Sequence, residues 1–345
     1  MAPPSESAPT WGHTARRWSM PPRRWQPGSP WLARSSPGAL PTRTAAPTVP
    51  AAVSRASHVG ADAPALRAAW AGCRSPAVAT VSLVASHQAK EAAAMTTTLT
   101  RVTHACALLD FDGQRVLTDP WFSEKPGYHP GEPVAFTPTT LPPLAAVAAS
   151  HDHYDHYDLA AFAAYPDKAV PLVVKRGMGP KAHQAGFATV TEVEPWEQVS
   201  VGSLQITAAP ARHGVPEVTF VLQGAGTTVF FGADTLRIPE LDQVAQRFAA
   251  IDLALLPVNG LQIRPAFNRR VVMTAEQAAE LCAVLRPRVA VPIHYAFTAG
   301  PVRDRLFLKY DGTPERFERA VAQHAPATTV RVLAPGQPLV LDAAP

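Results

Sequence analysis

The chain has 345 residues, 47% of them apolar and 17% charged, with a formal charge of +4. That composition can bury a core, which excludes a wholly disordered protein, a collagen-like repeat and a small disulfide scaffold. Three cysteines (Cys73, Cys106 and Cys282), odd in number and without Cys-x-x-Cys spacing, exclude a disulfide framework and a thiolate metal site.

The charge is unevenly placed. Residues 1–94 hold ten Lys/Arg against three acids, 13 prolines and five of the seven tryptophans, but no Phe, Tyr or Ile. With no sustained period of 2.0 or 3.6, this segment is expected to be a disordered extension. It lacks the layout of a secretory signal, and its longest apolar run, residues 77–86, is too short to span a bilayer. We expect it to be upstream sequence from a mis-assigned start, the working chain beginning at Met95. Residues 95–345 carry 21 basic against 24 acidic residues, so the overall basicity is not a sign of a nucleic-acid partner.

From Met95 the pattern turns to strands. Residues 97–110 read as one or two strands, Asp112-Gly113 as a hairpin turn and residues 115–118 as the returning strand. A Pro/Gly-rich loop covers residues 120–143. Residues 145–149 form a short apolar strand, followed by a helix from Asp158. Further strands are predicted at 170–174, 190–193, 199–201, 204–208, 218–222, 228–231 and 289–293. Helices are predicted at 179–185, 239–248 and 274–285, the last with a Thr274/Gln277 capping pair and a stop at Arg286-Pro287. Thr313-Pro314-Glu315 opens a final helix. Hairpin runs alternating with helices, in two sets, predict packed sheets with helices outside.

The informative stretch is Ser150-His-Asp-His-Tyr-Asp-His-Tyr-Asp158, at the end of a short apolar strand. His151 and His153, two apart, point to one side of an extended backbone, and Asp155 and His156 follow as the chain turns. Imidazole and carboxylate donors suit divalent Zn, Mn or Fe. His213, Asp234 and His294 each stand where an apolar strand runs into a loop. The roles of His104, in an alternating strand and as readily a half-buried structural histidine as a site residue, and of Asp119, at a strand end, stay open, with Asp119 a candidate partner for a ligand histidine. Arg264, Arg269 and Arg270 are candidates for an anionic substrate group, with a solvated surface cluster the favoured reading. Trp121 and Trp196 are read as packing residues.

As a set, His151-x-His153-x-Asp155-His156, His213, Asp234 and His294 resemble the motifs of the metallo-β-lactamase fold superfamily. Flanking residues 103–105, 117–122 and 273–279 are similar to the branch containing ascorbate-6-phosphate lactonase and N-acyl-phosphatidylethanolamine phospholipase D. The resemblance covers residues 96–341. It implies an α+β, four-layer αββα sandwich with two divalent transition-metal ions at one edge, zinc preferred and manganese the alternative. His151, His153 and His213 would hold the first ion and Asp155, His156 and His294 the second, with Asp234 bridging. Asp155 stands where some true β-lactamases use Cys, which disfavours β-lactam cleavage. His153 stands where redox-active di-iron relatives use Glu, which disfavours dioxygen chemistry.

The function this implies is hydrolysis of a small ester, lactone, amide or phosphodiester by metal-activated water, with Asp155 as the catalytic residue that orients or deprotonates the nucleophile. The alternatives are a phosphodiesterase for lipid or nucleic acid, and a non-catalytic metal-binding relative. Expected partners are a small-molecule substrate and a second copy of the chain as a homo-oligomer option, with no nucleic acid and no membrane. A cytoplasmic setting is expected.

Overall fold

A computed structural model describes residues 95–341. The extension expected over residues 1–94, its start assignment and Cys73 lie outside the described residues. The strands, in chain order, are β1 (Thr97–Thr103), β2 (Cys106–Phe111), β3 (Gln114–Thr118), β4 (Ala146–Ala149), β5 (Leu172–Lys175) and β6 (Val190–Val193). Then come β7 (Gln198–Val201), β8 (Leu204–Pro210), β9 (Val218–Gly224), β10 (Thr227–Phe231) and β11 (Leu253–Pro257). Last are β12 (Gln262–Ile263), β13 (Arg269–Arg270), β14 (Val289–Ile293), β15 (Leu308–Lys309), β16 (Thr329–Val330) and β17 (Pro338–Leu341).

They build two seven-stranded sheets, ordered β17-β1-β2-β3-β4-β5-β6 and β16-β14-β11-β10-β9-β8-β7, and a small sheet β13-β12-β15. Each large sheet is antiparallel at its hairpin-rich end and parallel from β3 to β6 and from β10 to β16. Side chains alternate across each strand, and that alternation sets the layers. Ala146 and Ala148 of β4, Val229 and Phe231 of β10, and Leu253 and Leu255 of β11 share the core between the sheets. Their neighbours face outward. Val147 and Ala149 pack beneath α1 (Leu159–Phe162) and α2 (Gly179–Gln184). Phe230, Ala254 and Leu256 pack beneath α3 (Asp242–Arg247), α4 (Ala275–Leu285) and a later helix at Pro314–His324. With α5 at Pro301–Phe307, that last helix is α6. The result is the αββα sandwich that the residues predict.

Helix ends follow the sequence signals. Thr274 and Gln277 form a reciprocal capping box on α4, and Arg286 ends it in a left-handed conformation before Pro287. Thr313 caps α6, with Pro314 in its first turn. The single helix expected over 239–248 is a 3₁₀ turn, Pro239–Leu241, running into α3. Among the described residues, no helix is long and apolar enough to cross a membrane.

Candidate metal centre

Strands from both sheets end at one edge, and there they deliver polar side chains. The turn between β1 and β2 carries His104, β3 runs into Asp119, and β4 runs into Ser150 and the residues from His151 to His156. In the other sheet, β8, β10 and β14 lead to His213, Asp234 and His294. Four non-glycine residues at these junctions (His104, Asp119, Ala233 and His294) have φ between 35° and 58°. The left-handed region is costly for such residues, and its concentration here marks a place where geometry overrides local preference.

The side chains converge in two groups. His151 Nε2 lies 3.0 Å from His153 Nδ1, and His213 Nε2 lies 3.3 Å from the same Nδ1. The second group is His156, Asp234, His294 and His104. Asp234 Oδ2 lies 2.9 Å from His294 Nε2, 3.3 Å from His156 Nε2 and 3.8 Å from His213 Nε2. One carboxylate oxygen therefore reaches both groups. Asp155 adjoins the second through Oδ2, 3.4 Å from His104 Nε2 and 3.7 Å from His156 Nε2.

The outer faces of three of the ligand-type histidines, His151, His156 and His213, are held. His156 Nδ1 lies 2.7 Å from Asp119 Oδ2, an acceptor that also receives the Ser150 hydroxyl. His151 Nδ1 faces Ser150 Oγ at 2.9 Å and Glu217 Oε1 at 3.3 Å. His213 Nδ1–H donates to the Val271 carbonyl at 2.7 Å. With Nδ1 engaged outward, the Nε2 lone pairs of these rings point inward, the orientation a metal-binding imidazole needs. His104 Nε2, His156 Nε2, Asp155 Oδ1 and Asp234 Oδ1 are buried without a hydrogen-bond partner among the described residues. Buried polar atoms are rarely left so, and an N/O donor set of this kind fits a divalent transition-metal ion.

Burial also sets the charges of the metal-free site. Desolvation, then neighbouring histidines, lowers His104, His151 and His153 to about 3. Burial opposes ionisation of Asp155 and Asp234, but His156 together with His104 for Asp155, and with His294 for Asp234, outweighs it, and both carboxyls are held low. His156 is raised against its own burial by Asp234 and Asp155. Burial pushes Glu217 up to about 8.

These shifts fix how the stability of the metal-free protein depends on pH. The three neutral histidines titrate near 6.5 once unfolded, so the unfolded chain takes up their protons first. Their contribution is full above about 6.5 and declines as the pH falls towards 3. Glu217 acts in the opposite sense with one proton, since its folded form is protonated where the unfolded carboxyl is ionised. His156, raised when folded, acts in the same opposing sense near pH 6.5 and is protonated in both states by pH 5, and Asp155 and Asp234 enter only below about 4. As the pH falls from 6.5 to 5 the three histidines of the unfolded chain fill while the opposing terms fade, so acidification over this range is destabilising. A denaturation midpoint of chelator-treated protein that rises over this range would contradict the assignment.

A cavity of about 410 Å³ opens over both groups. Its apolar wall includes Val215, Leu261, Ile263, Val271, Phe297 and Leu308, and its polar groups beyond the two clusters are Tyr128 and Arg303.

A family model described as a beta-lactamase superfamily domain matches residues 114–295, which hold β3 to β14 and all seven expected ligand residues. The chain belongs to the β-lactamase superfamily. Within the superfamily, it is 31% identical over 148 residues to a UPF0173 metal-dependent hydrolase of Nitratidesulfovibrio vulgaris (strain DP4), covering 42% of this chain and 54% of that protein. The chain thus matches about half the length of that relative. A second UPF0173 metal-dependent hydrolase, from Caldivirga maquilingensis, is 26% identical over 69% of this chain and 95% of its own. Among solved structures, Igni18, a metallo hydrolase from Ignicoccus hospitalis, has a TM-score of 0.54 at 23% identity, covering 72% of this chain and 99% of its own. CmlA, a diiron β-hydroxylase from Streptomyces venezuelae, has a TM-score of 0.56 at 19% identity, covering 72% of this chain and 54% of its own. A superfamily fold shared by a metallo hydrolase and a hydroxylase leaves the chemistry to the site residues.

The seven expected ligand residues, His151, His153, Asp155, His156, His213, Asp234 and His294, come together at this one edge. His104, left open by the sequence, joins the second group and is fully buried. Asp119 is the hydrogen-bond partner of His156. Arg264 and Arg270 are committed elsewhere, to the Leu308 carbonyl and to Asp311 with the Gly260 carbonyl. Trp121 is buried and Trp196 packs under Arg247. Sequence reasoning missed Glu217 and Arg303. Neither stands at a motif spacing, and only the fold brings them to the site.

Proposed function

We propose that this chain is a metal-dependent hydrolase acting on a small ester, lactone, amide or phosphodiester at a centre of two divalent transition-metal ions, zinc before manganese. The observation that carries this is Asp234 Oδ2, within 2.9 to 3.8 Å of histidine nitrogens from both groups. A bridging carboxylate at that position has little purpose in a site for one ion. His151, His153 and His213 would hold one ion, and Asp155, His156 and His294 the other, with Asp234 shared and His104 beside Asp155. The chemistry supplied by such ions is polarisation of a carbonyl or phosphoryl oxygen and acidification of water towards neutral pH.

The remaining tasks fall to the chain. Asp155, held ionised by His156 and His104, has Oδ1 free to accept a proton from the attacking water or to orient it. The apolar wall excludes bulk water and strengthens every charge interaction inside. A cavity of about 410 Å³ fits a small molecule, which favours that class over nucleic acid. A cytoplasmic setting without a membrane partner, and a homo-oligomer as an option, complete the proposal.

The test is a panel of aryl esters, lactones and bis-aryl phosphodiesters, assayed with the purified full chain before and after chelation. Hydrolysis should vanish on chelation and return with zinc or manganese, and metal analysis should give close to two ions per chain. A well-folded protein that hydrolyses the panel equally well after chelation would overturn the proposal.

A further inference from the structure

The cavity rim has a charge distribution unlike the rest of the chain. Residues 95–345 are net acidic, with 21 basic against 24 acidic residues. The elements on one side of the rim are basic. That side is carried by β12, β15 and α5, with β13 beside β12 in the small sheet and the Arg264–Leu308 hydrogen bond joining its segments. Arg264, Arg269, Arg303, Arg305 and Lys309 stand on these elements or the turn between them, and none has a carboxylate partner among the described residues. The one acid on α5, Asp304, is turned inward to the Thr298 hydroxyl, the Ala299 amide and the Tyr310 hydroxyl.

Of these cations, Arg303 lines the cavity itself. Its Nη1 donates to the Pro126 carbonyl at 3.1 Å, which fixes the head group across Gly127. Gly127 has φ +91°, which favours glycine, and a Cβ there would displace the Arg303 guanidinium. A guanidinium has five N–H donors, and the Pro126 bond uses one. Beside it, the Tyr128 hydroxyl has no hydrogen-bond partner among the described residues, while Tyr128 packs edge-on to Phe297. Phe297 stands between this corner and the ligand groups, its ring centroid 6.0 Å from Tyr128 and 6.3 Å from His294, and Ile263, Val271 and Leu308 line the same cavity.

We propose that Arg303 is a specificity residue: the substrate carries an anionic group, carboxylate or phosphate, separated by an apolar segment from the bond that is cleaved. This rests on the hydrolase function proposed above and deepens it to a substrate class. The planar fork of Arg303 matches a carboxylate or phosphate oxygen pair, and Tyr128 offers one more donor beside it. The apolar wall receives the connecting segment. The surrounding cations raise the local concentration of anions at the mouth, an effect that salt weakens.

Two readouts test this with the full chain. In the first, the metal-reconstituted protein hydrolyses the p-nitrophenyl half-ester of adipic acid and, in parallel, p-nitrophenyl hexanoate. The anionic ester is expected to be preferred at least tenfold in kcat/KM. Arg303→Met should abolish the preference by raising KM for the anionic ester, with the hexanoate rate within about twofold of the parent. Arg303→Lys should restore part of it. In the second, the chelator-treated protein is titrated calorimetrically with hexanoate, hexyl phosphate and hexanol. Binding of either anion but not hexanol, lost in Arg303→Met, supports the site and names the anion class. A wild-type protein without the ester preference, or a preference that survives in Arg303→Met, overturns the proposal while leaving the hydrolase function standing. Loss of all ester hydrolysis with anion binding intact overturns the hydrolase function instead and supports the anion site.

Discussion

Asp155→Asn is expected to lower kcat by about 10²- to 10⁴-fold, the range lost when a positioned general base is removed. Asn has the same shape and still accepts a hydrogen bond, so contacts to His104 and His156 at 3.4 and 3.7 Å survive in outline. The variant loses the negative charge that the two histidines stabilise and the ability to take a proton. Metal analysis on the same preparation separates the two ways activity could fall. Full metal content with collapsed kcat supports a proton-handling role, whereas loss of one ion assigns Asp155 chiefly to binding. Unchanged kcat at full metal content refutes its place in catalysis.

Glu132→Ala is expected to have the largest effect on stability, about 3–5 kcal/mol, the usual cost of stripping one partner from a buried ion pair. Glu132 Oε1 accepts from Arg101 and, at 2.8 Å, from the backbone amide of His104. Arg101 is fully buried and also donates to the Tyr295 hydroxyl and the Leu333 carbonyl. Without Glu132, the guanidinium keeps its charge in the interior, and the left-handed turn at His104 loses its acceptor. A denaturant midpoint gives the measure. The double change Arg101→Met with Glu132→Leu should recover much of the loss, since it removes both charges together. A single variant within about 1 kcal/mol of the parent would contradict this account.

Much of this was legible in the residues because the signals were local. Packed sheets with helices outside follow from hairpin runs alternating with helices, and the candidate ligand residues from polar side chains closing apolar strands. Other features carry no local mark. β11 (Leu253–Pro257) is buried on both faces between two parallel neighbours, so its run is uniformly apolar and lacks the alternation that marks a half-buried strand. Helix α5 went unread for another reason: it spans seven residues, none of them buried, too short a run for a helical period to stand out. Glu217 is a lone acid beyond β8, and only the pairing of β8 with β9 brings it to His151. The candidate ligands were readable from residue types, while the cavity wall beside them depends on how distant segments meet.

No strand pairing joins the two seven-stranded sheets at the edge of the candidate metal centre, where the Val218 amide of β9 donates to the Ser150 carbonyl at 3.1 Å. Each ligand group there draws side chains from both sheets: His151 and His153 with His213, and His156 with Asp234 and His294. Ions held there would act as rivets between the two halves of the sandwich, joining segments far apart in the chain. Free metal at a hundred times its Kd adds about 2.7 kcal/mol to folding stability for each such site. Resistance to unfolding and readiness for catalysis would then rise and fall with the same occupancy, so starving a cell of metal would remove the protein as well as its activity.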